Sequence, residues 1–109
     1  MFFKIFNSSA EKTLAHDLVV DLKKDLPPTL MEKQRKVLSV NKITRLLEKT
    51  YQVAREHQNS QGMGFIKRSI LANSFKWELK NLGYPEDFID MATEGLVMEL
   101  MRKDSISGK

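Results

Sequence analysis

The side chains that could bind a metal ion lie on one short stretch of the chain, around His16. Asp17, Asp21 and Asp25 follow this histidine at intervals of four residues, so a helix would place the three carboxylates in one row. Such a row can hold a divalent cation when a second element supplies further oxygen ligands. A row of this kind is more often a solvated helix edge, balanced here by Lys24. We therefore expect no metal site.

Other residue patterns associated with catalysis are missing from the sequence. The chain has no cysteine, which excludes a disulfide framework, a thiolate metal site and a cysteine nucleophile. Neither histidine belongs to a metal-binding HExxH motif, and no glycine-rich phosphate loop or nucleophile motif occurs. Glu94 and Glu99 would point about 140° apart on a helix, so they do not converge on one point. We predict a protein that is not an enzyme and needs no cofactor.

The basic residues have the clearest spatial pattern among the charged side chains. Lys42, Arg45 and Lys49 fall in one narrow stripe of a predicted helix, nearly opposite its apolar face. A basic stripe can bind phosphate groups and release their condensed counterions, which makes nucleic acid an alternative ligand. The candidate nucleic-acid contacts are Lys33, Arg35, Lys36, Lys42, Arg45, Lys49, Lys67 and Arg68. The stripe contains no aromatic residue that could stack on unpaired bases, and a solvated helix face explains the same pattern.

Charge is segregated along the chain although the formal net charge is only +4. Residues 33–80 contain eleven basic and three acidic residues, whereas residues 81–101 contain five acidic residues and no basic one. The acids open the last predicted helix, at Glu86, Asp87 and Asp90, where they would repel the phosphates of a DNA groove. This argues against a helix-turn-helix function for the last two helices. The acidic helix could instead lie beside the basic stripe within the fold.

The helix predicted over residues 65–82 has two apolar stripes. One stripe comprises Leu71, Phe75, Leu79 and Leu82, and the other comprises Ile66, Ile70 and Trp77. A helix that is apolar on two sides lies either at the centre of a bundle or against a partner. We expect the central position, with Trp77 buried.

Methionines on the last helix are candidate contacts for a partner. Met91, Met98 and Met101 stand outside its core face, and methionine packs well against irregular surfaces. The alternative is that they fill gaps in the core. Gly95 in the same helix costs about 1 kcal/mol relative to alanine, which predicts close approach of another backbone. The candidate partner-binding residues are Phe2, Phe3, Phe6, Met91, Met98 and Met101.

The chain opens with the short apolar segment MFFKIF. It is too short for a secretory signal, and no apolar run in the chain approaches the roughly 20 residues of a membrane span. Exposed phenylalanines promote aggregation, so we expect Phe2, Phe3 and Phe6 to be covered. These side chains pack either against the protein's own core or against a partner or second copy. We rank packing against the own core slightly ahead. The absence of cysteine fits a reducing compartment, and we predict a cytoplasmic protein.

Helices separated by short turns are predicted to position these residues. The apolar spacing and the proline and glycine positions predict helices over residues 8–26, 30–38, 41–57, 65–82 and 85–103. Pro27 and Pro28 end the first helix, and Gly83 suits the left-handed position after the fourth. We predict an all-α, compact bundle of four to five helices in a single domain. Its parts are an apolar N-terminal segment (1–7), a helical domain (8–103) and a flexible tail (104–109).

Together these patterns predict a small non-enzymatic helical module, with an interaction or regulatory role, that contacts a protein partner or forms a homodimer. The alternative is a nucleic-acid-binding protein that uses Lys42, Arg45 and Lys49. An enzyme whose site is assembled from distant residues ranks third. The first two classes differ in their response to salt, because phosphate binding weakens steeply as salt rises and apolar association does not.

Overall fold

The computed structural model describes residues 9–29 and 40–107. Four α-helices lie in these ranges: α1, Ser9–Asp25; α2, Val40–Gln61; α3, Phe65–Leu82; and α4, Glu86–Ser107. The described ranges contain no β-strand. The predicted all-α bundle is therefore confirmed, with four described helices. The helix predicted over residues 30–38 and the segment with Phe2, Phe3 and Phe6 lie outside the described residues.

The ends of the helices follow local backbone chemistry. Gly83 follows α3 with a φ of 91°, and its N–H donates to carbonyl groups of the last turn, as predicted for this glycine. Pro85 precedes α4, and its carbonyl accepts a hydrogen bond from the N–H of Ile89 at 3.0 Å. Glu86 and Asp87 then occupy the first turn, where carboxylates stabilise the positive end of the helix. α4 continues to Ser107, about one turn beyond its predicted end.

α2 is longer than the sequence indicates. The polar stretch that begins at Gln58 predicts the end of the helix, but α2 continues to Gln61. The side chain of Gln58 is buried, and its amide donates a hydrogen bond to the carbonyl of Leu100 in α4 at 3.1 Å. This contact between helices offsets the low helix propensity of the polar stretch, which sequence periodicity alone does not detect.

The four described helices pack as a ring, in which α1 and α4 each contact both α2 and α3. α2 and α4 run in the same direction, because Tyr51 contacts Ala92 and Gln58 contacts Leu100. α3 and α4 run in opposite directions, because Lys80 pairs with Glu86 and Lys76 with Asp90. The bundle thus aligns α2 with α4 over several turns, and the surface between these two helices is continuous.

The core lies inside this ring. Its largest fully buried side chains include Phe75, Phe88, Leu26, Leu71, Leu79, Ile89, Leu96 and Leu100. Tyr84 stacks on Phe88 with 5.1 Å between ring centroids, and its hydroxyl donates to the carbonyl of Leu26 at 2.5 Å. The hydrogen bond satisfies a carbonyl at the end of α1 and joins it to the start of α4.

The predicted burial of Trp77 is wrong. Its side chain is 57% exposed, and Ile66 on the same stripe is 63% exposed. α3 is not central, because only its Leu71 and Phe75 side faces the other described helices. The second apolar stripe of α3 is therefore surface, which is the outcome that favours a contact with a partner.

The role predicted for Gly95 needs a correction as well. A Cβ atom at this position would lie 3.0 Å from Cζ of Tyr51 and 3.1 Å from its Cε2, which is closer than side chains normally approach. Glycine is required here because an aromatic side chain of α2 lies against the helix, whereas the sequence predicted the backbone of another element.

Candidate partner-binding groove

A groove of about 570 Å³ runs between α2 and α4. Its lining residues are Thr44, Leu47, Glu48 and Tyr51 from α2, and Met91, Gly95, Met98, Glu99 and Met101 from α4. All three methionines predicted to bind a partner thus lie at one site. Because α2 and α4 are parallel, their successive turns lie side by side, and the three methionines therefore line the same groove.

The floor of the groove is built around Tyr51 and Gly95. The Tyr51 ring lies against the helix where Gly95 has no side chain, and its hydroxyl donates to the carbonyl of Ala92 at 2.8 Å. Burial raises the pKa of Tyr51 well above its usual value, and the negative charge of Glu99 raises it further. The phenol therefore stays neutral at physiological pH and acts as a fixed structural donor.

The methionine side chains project from the walls of the groove. Met91 is 47% exposed, Met98 68% and Met101 59%. Unbranched thioether side chains adapt their rotamers to the surface they contact, so such a wall can fit more than one apolar shape. These residues do not fill gaps in the core, which was the alternative to a contact surface.

Acidic residues surround the methionines. Asp87, Met91, Glu94, Met98 and Met101 are spaced alternately four and three residues apart, which places them in one row on the outer side of α4. Glu99 closes the inner side of the groove through an ion pair with Arg55 of α2. The groove is therefore lined mainly by apolar side chains, and Glu94 is an exposed acidic residue in the methionine row beside it.

A smaller cavity of about 120 Å³ continues the apolar surface from α4 to α3. Phe65, Arg68, Val97 and Met101 are among its lining residues, and Met101 also lines the larger groove. Phe65 is 75% exposed. The apolar surface of α4 thus extends on both sides of Met101.

The described candidate nucleic-acid contacts lie on more than one surface. Lys42, Arg45 and Lys49 are exposed on α2, as predicted. Lys49 lines a separate cavity between α1 and α2, whereas Arg68 lines the cavity between α3 and α4. Lys67 is exposed, and Lys33, Arg35 and Lys36 lie outside the described residues. The α2 stripe is the part of the basic set that has a continuous exposed face.

Three acidic residues of α4 are paired with basic residues of its neighbours. Glu86 lies 3.8 Å from Lys80, Asp90 lies 4.0 Å from Lys76, and Glu99 pairs with Arg55. The charge segregation of the sequence therefore has a structural component, with α3 as the main source of positive charge.

The histidines and the aspartate row take part in ordinary side-chain contacts. His16 lies 3.1 Å from Glu78, and His57 lies 3.4 Å from the buried Glu11. Asp21 lies 3.6 Å from Lys24, and all three aspartates of the row are exposed. Within residues 9–29 and 40–107, no group of three or more potential ligands could hold a metal ion.

Sequence periodicity missed the exposure of Ile66 and Trp77. The sequence does indicate a second apolar surface, because the two apolar stripes of α3 lie on opposite sides of the helix. Choosing between burial and exposure requires the positions of the other helices, which the periodicity does not contain.

In the described part of the chain, no helix is apolar over enough residues to traverse a bilayer.

Comparison of the chain with protein-family models, with curated proteins and with solved structures finds no match.

Proposed function

We propose that this protein is a non-enzymatic helical module, with an interaction or regulatory role, that binds another protein through the groove between α2 and α4. The observation that carries this proposal is the exposure of Met91, Met98 and Met101 along a groove of about 570 Å³. Large apolar side chains gathered in a concave surface are typical of protein-binding sites.

The two tyrosines with raised pKa values have structural roles. Tyr51 and Tyr84 have raised pKa values because they are buried, and each hydroxyl donates to a backbone carbonyl. These groups stabilise the fold in their neutral form. The groove itself is lined mainly by methionine, leucine and tyrosine side chains, which offer contact area.

Capture from native lysate tests the proposal. The full chain would be immobilised and compared with a Met91→Gln, Met98→Gln, Met101→Gln variant, which keeps side-chain length but makes the wall polar. The matched control is Ile66→Gln with Trp77→Gln on α3, which changes exposed apolar residues elsewhere. We expect captured proteins to be lost with the methionine variant, kept with the control and unaffected by nuclease.

Equal capture by the wild type and the methionine variant would contradict the proposal, provided that both melt at similar temperatures. Loss of capture after nuclease treatment would favour the alternative function instead.

Nucleic-acid binding is the second candidate, because Lys42, Arg45 and Lys49 are exposed in one stripe of α2. Titration of labelled duplex DNA and RNA at low and moderate salt tests it. Binding that weakens steeply with salt and is lost when the three residues are changed to glutamate would support this function. Flat titration curves at low salt would eliminate it.

A further inference from the structure

We propose that the groove between α2 and α4 binds an amphipathic helix that carries lysine or arginine beside its apolar face. This inference rests on the proposed function and deepens it by naming the chemistry of the partner. It follows from the order of side chains along α4, from the charges around the groove and from the length of the exposed row.

The outer row of α4 has the spacing of a helix-packing seam. Asp87, Met91, Glu94, Met98 and Met101 are separated by four, three, four and three residues, which keeps one side of a helix facing a partner helix. The row covers roughly 21 Å at a rise of 1.5 Å per residue, which is about four helical turns. A helix of the partner would therefore find contacts over its whole length.

The row alternates apolar and acidic positions. Glu94 lies three residues after Met91 and four before Met98, so the three side chains are neighbours on the helix surface. A helix that buries apolar residues against both methionines brings its flanking side chains close to Glu94. Lysine or arginine at those positions would be attracted, whereas aspartate or glutamate would be repelled.

The opposite wall of the groove contains one further acidic residue. Glu48 of α2 lines the groove and is exposed. No ion pair of Glu48 or Glu94 lies within residues 9–29 and 40–107, whereas Glu86, Asp90 and Glu99 are paired with basic residues of the bundle. The exposed acids therefore give the groove a preference for a basic ligand.

A second copy of the same face is a poorer fit. The methionine row contains the acidic residues Asp87 and Glu94 and no basic one, so two copies packed through this row would bring like charges together. The segment Met1–Phe6 carries one basic residue, Lys4, which could meet only one of the acidic positions. The charges thus favour a separate basic helix over these two occupants, and the segment 30–38 with Lys33, Arg35 and Lys36 lies outside the described residues.

Binding of synthetic peptides to the full chain tests the inference. The probe is a fluorescently labelled 18-residue peptide of leucine and lysine, with leucine at helical spacing, and its control is the same peptide with glutamate in place of lysine. We expect the Leu/Lys peptide to bind at least about tenfold more tightly at low salt, since complementary charge favours the complex.

Four variants, two at the groove and two controls elsewhere, identify the surface that the peptide contacts. Glu94→Lys should weaken binding of the Leu/Lys peptide at least about fivefold, whereas Asp17→Lys, the same charge change on α1, should leave it within about twofold. Met98→Gln should weaken binding more than Ile66→Gln. Each position is exposed, so the fold is expected to tolerate all four changes.

Several outcomes would overturn the inference. They are equal binding of the two peptides, equal effects of Glu94→Lys and Asp17→Lys, and a large gain in affinity when residues 1–6 are deleted, which would identify that segment as the occupant. A dimer in sedimentation that Met98→Gln dissociates would identify a second copy. Methionine-dependent capture from lysate without binding of the Leu/Lys peptide would overturn this inference and leave the proposed function standing.

Discussion

Gly95 and Tyr51 together determine the shape of the groove floor. The tyrosine ring occupies the space that a side chain at position 95 would take, and its hydroxyl is held by the carbonyl of Ala92. A glycine in the middle of a helix lowers stability by about 1 kcal/mol relative to alanine. The close packing of Tyr51 explains why alanine is nevertheless unfavourable here.

Gly95→Ala should destabilise the protein in spite of the higher helix propensity of alanine. Overpacking costs about 1–3 kcal/mol, which exceeds the propensity gain over most of that range. In a Tyr51→Phe background the hydroxyl contact is absent, so the same change should cost less. Urea unfolding of the two single variants and the double variant measures this coupling. Equal costs in both backgrounds would show that Tyr51 does not impose the requirement for glycine.

At the scale of the element, α3 has two apolar sides with different roles. Phe75 is fully buried against the other helices, whereas Trp77, two residues later, is 57% exposed. The two residues are both large and aromatic and lie on one helix. Substituting each of them therefore compares the contribution of core packing to stability with that of an exposed side chain.

Phe75→Ala should lower the free energy of unfolding by about 3–5 kcal/mol, because it leaves a cavity in the core. Trp77→Ala should cost less than about 1 kcal/mol, since its side chain remains largely in water. Thermal and urea unfolding of both variants check the difference. A large loss of stability from Trp77→Ala would mean that its side chain is covered in solution.

Much of the element pattern could be predicted from the sequence. Periodicity, Pro27 and Gly83 placed the described helices to within about one turn, and the same spacing separated Met91 and Met98 from the core face of α4. The errors share one cause. The end of α2, the exposure of Trp77 and the neighbour of Gly95 each depend on which helix lies opposite, and a single sequence does not contain that arrangement.

At the scale of the whole molecule, hydrogen bonds to backbone carbonyls connect the helices of the ring. Tyr84 bonds the carbonyl of Leu26, Tyr51 bonds that of Ala92 and Gln58 bonds that of Leu100. Burial raises the pKa of Tyr84 from its usual value of 10.0 to about 12. The folded state thus retains the phenolic proton at pH values where the unfolded chain has lost it.

Stability should therefore fall as the pH rises from about 10 to about 12. In this window the unfolded state binds fewer protons than the folded state, so deprotonation favours unfolding. The contribution of Tyr84 is fully present below pH 10 and is lost as the pH passes through its folded pKa of about 12. Urea unfolding of the wild type and Tyr84→Phe between pH 8 and 12 measures the contribution of Tyr84 to the free energy of unfolding. A stability difference between the two proteins that stays constant over this range would contradict the prediction.

The methionine wall has a further consequence for the chemistry of the surface. Thioether sulfur is oxidised by peroxides, and the sulfoxide is polar and chiral. Met91, Met98 and Met101 are open to solvent, whereas Met63 is the buried methionine of the described core. Mild oxidation would thus reach the groove before the core and turn its apolar wall into a polar one in a bundle that stays folded. Methionine sulfoxide reductases would restore it, so the affinity of this surface would follow the oxidation state of three sulfur atoms.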